Sequence, residues 1–139
     1  MSSSDLTLEF ELKRLRTFRL GLLRLHKTLL DSERVIYEQF YGRIQSPNEF
    51  FQLVISHDWF SWLRPISQFI VQIDDILKAK EPVTVEQINA LFEEGRSLLQ
   101  PNEEGSGLEK RYFHAIQRDP AIALMHADLS QLLPPARSQ

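Results

Sequence analysis

His26 and Glu33 stand seven residues apart in the stretch LHKTLLDSERVIYEQF, two turns along one face of a helix that is otherwise apolar. An ionisable pair in that position is costly to bury without partners. Two chemistries would supply them. The pair could belong to a ligand or metal site shared with Tyr37, or it could form a structural hydrogen-bond network. Metal bundles of the carboxylate type carry Glu-x-x-His on two helices, and zinc hydrolases carry His-Glu-x-x-His. Neither occurs here, and His57, His114 and His126 come from three separate segments. No metal and no cofactor is therefore assigned. The expected outcome is a network in which His26 or Glu33 reaches Arg64, Tyr112 or a tryptophan N–H.

The stretch HDWFSWLRP, residues 57–65, is the second candidate. Both tryptophans of the chain lie in it, three residues apart, before a proline. Their simplest role is to close one end of a core, because aromatic side chains bury large areas. The sharper alternative is a pocket opened by the proline, with His57, Trp62 and Arg64 holding an anionic or aromatic ligand. The chain contains no G-x-S-x-G, no phosphate-binding glycine loop and no dinucleotide fingerprint. It also has no cysteine, which removes thiolate nucleophiles, thiolate metal sites and disulfides. No catalytic residue is assigned.

Helices must position all of these residues. Leu8, Leu15, Leu22, Leu29 and Ile36 recur every seventh position, flanked by Phe18 and Leu25 on one side and by Leu12, Leu23, Leu30, Tyr37 and Phe40 on the other. They predict one amphipathic helix over residues 5–41, about 54 Å long. Gly42 ends it. Ser46-Pro47 with Glu49 predicts a capped second helix to about Ser56, with Asp58 as the next cap. Pro65 predicts a kink, or a short turn of helix before a segment running to Lys80. Thr84 with Gln87 forms a capping box, and Val83 with Ile88 a hydrophobic staple, for a helix to about Leu99. Ser106 with Glu109 caps a fifth helix, and Asp119-Pro120 starts a last one to Leu133. The fold class is all-α: a compact bundle of five or six helices built around the long first one. Residues 1–133 form one domain, and 134–139 a tail.

The order LHKTLLDSERVIYE, SPNEFFQLV, DWFSWLRPISQFIVQID and RYFHAIQRDPAIALMHADL resembles a small all-helical bacterial protein family of uncharacterised function. That resemblance implies a cytoplasmic helical protein and carries no catalytic residues across.

Charge narrows the partners. Residues 13–27 hold six cations and no acid, whereas residues 74–109 hold nine acids against three cations, and the net charge is −3. Opposite charges in one bundle can complement each other, and six cations spread around a helix do not form a phosphate-reading stripe. Specific nucleic-acid binding is not expected. With 42% hydrophobic and 25% charged residues the composition is globular. Charges interrupt every apolar run, so no membrane span is expected, and the N-terminus lacks a secretory pattern. The expectation is a non-enzymatic cytoplasmic protein that binds another protein or itself. The alternative is a small-ligand- or metal-binding bundle using His26, Glu33, Tyr37 and the HDWFSW segment. Self-association is expected through the N-terminal half of the first helix, where Leu8, Leu12, Leu15, Phe18 and Leu22 need a cover. The competing cover is the last two helices of the same chain.

Overall fold

Capping chemistry divides the chain where the turn residues fall. In the computed structural model, which describes residues 3–105 and 107–134, six α-helices and one 3-10 helix follow one another: α1 (Ser3–Tyr41), α2 (Pro47–Ser56), the 3-10 helix (Asp58–Leu63), α3 (Arg64–Leu77), α4 (Val85–Leu98), α5 (Leu108–Arg118) and α6 (Pro120–Leu132). Gly42 adopts φ +90 at the end of α1, a conformation open to glycine. Ser46 accepts the Glu49 N–H at 3.1 Å, and the Glu49 carboxylate takes the Gln45 N–H at 2.9 Å. The Thr84–Gln87 capping box closes in both directions. Asp119 caps α6 by accepting the Ala121 N–H at 3.0 Å. The expected cap at Ser106 and the tail beyond Pro134 lie outside the described residues.

One local expectation is corrected. The cap after α2 is His57, whose Nδ1 accepts the Trp59 N–H at 3.0 Å, and not Asp58. Of the two outcomes expected at Pro65, the short turn of helix before the main segment is the one present. The 3-10 helix ends at Leu63, and Pro65 falls in the first turn of α3, where its missing N–H breaks no helical bond.

Helix α1 is about 58 Å long, against about 21 Å for α3 or α4, so no single neighbour can cover it. It packs against α3, α4, α6 and the 3-10 helix. Leu15, Phe18, Leu22, Leu25 and Leu29 are fully buried. Phe18 meets Phe69 of α3 and Phe92 of α4, with ring centroids 6.4 and 5.4 Å apart. α6 lies so close to α1 that a Cβ on Gly21 would come within 2.6 Å of the Leu129 side chain. Leu15, Phe18 and Leu22 of the N-terminal stripe are thus covered within the chain, by α6 together with α3 and α4, and Leu8 and Leu12 are partly buried against the same core. On the same half of α1, Leu6 and Phe10 are 54% and 66% exposed. The cover expected from the last two helices is also amended. α6 lies on the stripe, and α5 sits farther along α1, beside the 3-10 helix. Among the described residues no helix is long and apolar enough to cross a membrane.

Candidate functional site

Glu33 is the buried charged residue of the described core, with 2% of its surface exposed. It reaches none of the expected partners. Arg111 donates to one carboxylate oxygen at 3.2 Å and Arg118 to the other at 3.4 Å, both from α5. Arg118 also donates to Ser32 Oγ from Nε and Nη2, at 3.1 and 2.9 Å. The Arg111 guanidinium lies over the rings of Trp59 and Trp62, 5.4 and 5.8 Å from their centroids. One carboxylate thus holds two cations, and one of those is stacked on aromatic faces. Each Glu33 oxygen accepts from one of the two arginines, so the residue clamps α5 onto α1. Among the described residues no group of three or more His, Asp or Glu converges on a common point.

Beside this clamp stands an aromatic wall. Tyr37, 9% exposed, is edge-on to His57 at 5.4 Å and packs on Phe60 at 5.5 Å and Tyr41 at 4.7 Å. Because His57 Nδ1 accepts the Trp59 N–H, its ring is held in the tautomer with the proton on Nε2. Trp62 is 7% exposed, and its Nε1–H finds no acceptor among the described residues, as is true of Trp59. The expected pocket of His57, Trp62 and Arg64 does not form. Trp62 is buried under Arg111, His57 meets Tyr37 and Tyr41 edge to face, and Arg64 turns toward α2.

Arg64 instead joins His26 in a groove between α1, α2 and α3 of about 370 Å³. Val54 and Ile55 of α2 form one wall, Ser67 and Gln68 of α3 the other, and the floor is Phe60 and Leu63. Arg64 Nη2 donates to the Ile55 carbonyl at 3.0 Å, which ties α3 to the end of α2. His26 is half-buried and hydrogen-bonds to no described residue. Burial lowers its pKa from 6.5, so the imidazole is neutral near pH 7. His26 and Glu33, paired by the helical wheel, thus part company: one borders a groove and the other lies under α5. Of the six sequence candidates, His26 and Arg64 share one groove. Tyr37 and His57 belong to the aromatic wall, Trp62 lies under Arg111, and Glu33 is held in the clamp beneath α5.

Sequence reasoning missed a third feature. Tyr112, fully buried, shares a 2.8 Å hydrogen bond with His126 Nδ1 across the α5–α6 turn. The two lie fourteen residues apart on different helices, and neither neighbourhood carries a signal that pairs them. Burial raises the Tyr112 pKa well above its usual range and lowers that of His126. The phenol therefore keeps its proton beside a neutral imidazole.

Stability should depend on pH in a defined direction. His26 and His126 both have lowered folded pKa values, so below 6.5 the unfolded chain binds protons that the folded chain refuses. Their contribution is complete above 6.5 and falls as the pH drops through the folded values. Tyr112 acts oppositely: above about 10 the unfolded phenol ionises and the folded one does not, so stability declines with rising pH. Thermal melts followed by circular dichroism should give a plateau between these limits. Tyr112→Phe should remove the Tyr112 share of the alkaline decline, and a plateau extending unchanged to pH 5 would contradict the burial of both histidines.

Family models, curated protein sequences and solved structures were each compared with the chain, and none matches.

Proposed function

We propose that this chain works by binding another polypeptide and that the groove between α1, α2 and α3 receives an apolar side chain of that partner. The observation that carries the reading is α2. Its sequence, PNEFFQLVIS, is mostly apolar, yet no residue of it is fully buried, and Phe51 and Ile55 are 59% and 51% exposed. Helices held only on the flank of a core normally turn polar residues to water. Adjacent exposed aromatic and aliphatic side chains beside a preformed groove are the usual make-up of a contact surface. An amphipathic segment laid along α2 would place one anchor between Val54 and Ile55 of α2 and Ser67 and Gln68 of α3. A carboxylate on the same segment would reach Arg64, whose other guanidinium donors bond to no described residue. The setting proposed is the reducing cytoplasm, in keeping with a cysteine-free chain.

A small amphiphile with an apolar body and an acidic head is the second reading. It is favoured by the same floor and by Arg64 standing beside a neutral His26.

The test is a photo-crosslinking amino acid placed at Phe51 in cells, with Glu86 of α4 as the control site. Binding of a partner chain predicts one discrete protein adduct, absent from the Glu86 control and lost when Ile55→Asp is added. A small ligand retained by the purified native protein, with no protein adduct, would favour the second reading. Neither signal would refute both.

A further inference from the structure

The outer face of α1 changes character once the bundle has taken what it needs. Of the six cations between residues 13 and 27, two are consumed. Arg14 pairs with Glu11 at 3.0 Å, donates to the Leu132 carbonyl and lies 4.0 Å over the Phe92 ring. Arg19 pairs with Asp74 of α3. Lys13, Arg16, Arg24 and Lys27 are exposed, and their side chains pair with no described residue.

These four are not scattered. Lys13, Arg16, Leu20, Leu23 and Lys27 follow a 3-4-3-4 spacing that keeps them within about 80° of one another, on the side opposite Phe18 and Leu22. Arg24 flanks the line. Leu20 and Leu23, 49% and 38% exposed, occupy its middle. The line runs for about 21 Å. Its spacing is that of a coiled-coil seam, with two leucines at the centre and cations at both ends.

We infer that this face docks an acidic amphipathic helix of a different protein. The charge decides against a two-fold pairing of this face with itself, because in either orientation the cations would meet cations. The spacing decides for a helix, since a partner with apolar residues opposite Leu20 and Leu23 can carry Asp or Glu opposite Lys13, Arg16 and Lys27. A membrane surface is a poorer fit. An interfacial helix binds by burying its apolar face in lipid, and here that face is locked in the core as Leu15, Phe18, Leu22, Leu25 and Leu29. A nucleic acid would leave the two central leucines with nothing to contact but phosphates. This surface is separate from the α2 groove, and each stands without the other.

The test uses the full chain and three probes: a synthetic three-heptad peptide with leucine seam positions flanked by glutamate, phosphatidylglycerol vesicles, and a DNA duplex. Two variants accompany it, Leu20→Asn/Leu23→Asn and Arg16→Glu/Lys27→Glu. All four positions are exposed, so both variants should melt like the parent, and circular dichroism checks this. The peptide should bind the parent, and each variant should weaken it by about tenfold or more. Added salt should weaken the peptide complex and leave its dependence on the leucines intact. Failure of the acidic peptide to bind, or binding indifferent to the leucine pair, overturns the inference. So does tighter binding to the vesicles or the duplex than to the peptide.

Discussion

Arg111→Ala combined with Arg118→Ala is expected to lower unfolding stability by about 3–5 kcal/mol, the scale on which a buried charge loses its partners. The double substitution strands the Glu33 carboxylate, 2% exposed, with both oxygens facing what the guanidinium groups occupied. Glu33→Ala should be milder, about 1–3 kcal/mol, although it breaks the same two ion pairs. The reason is exposure. Arg111 and Arg118 side chains are 39% and 33% exposed, so each can turn to water, whereas Glu33 cannot. Adding Glu33→Met to the double variant should restore part of the loss, since an apolar group of similar size suits the site once the cations are gone. Urea unfolding of the four proteins gives the answer. Equal losses for Glu33→Ala and the arginine pair would mean that the clamp matters only as a tether for α5. Under the charge-burial account, the arginine pair must be the more damaging.

Phe18→Ala is expected to cost about 3–5 kcal/mol. Phe18 is fully buried where α1, α3 and α4 meet, against Phe69 and Phe92. Gly95 completes the same contact. A Cβ there would stand 3.0 Å from Phe18 Cζ and 3.2 Å from Phe69 Cε2. Both rings are held on all sides, so Gly95→Ala should destabilise by about 1–3 kcal/mol through overpacking, more than the ~1 kcal/mol that alanine returns as helix propensity. The two positions should therefore couple. In a Phe18→Leu background the space left by the ring can accept the alanine methyl. The pair should then lose less than the sum of its single changes, by about 0.5–3 kcal/mol in a double-mutant cycle. Strict additivity would show that α4 does not rest on the Phe18 ring as described. Light scattering on the same proteins bears on α1 itself: a parent that stays monomeric, with Phe18→Ala losing stability independently of concentration, fits a stripe covered within the chain.

Local sequence was enough for most of the helix boundaries at which a side chain meets its own backbone, the His57 cap being the exception. The Thr84–Gln87 box, the Ser46 cap, the Asp119-Pro120 start and the glycine stop at Gly42 all act over three or four residues, and all are in place. The amphipathic run of α1 is equally local, so the long helix and the all-α class followed from spacing alone. Spacing also marked Glu33 as a charge that must be satisfied. It could not say by what, because Arg111 lies 78 residues away and meets Glu33 only after α5 has docked. The same limit separates His26 from Glu33. Both fall beside the apolar stripe on a helical wheel, but α5 covers one, while α2 and α3 leave a groove beside the other. The basic segment shows the limit most clearly. Six cations spread around a helix look unpatterned until Arg14 and Arg19 are taken up by Leu132, Phe92 and Asp74, and the remainder align on one face. Sequence determined what each helix could present, through periodicity and caps that reach no farther than a turn. Tertiary structure decided which of those groups were spent inside the bundle and which were left facing water, because that choice depends on partners that only packing brings within hydrogen-bonding distance.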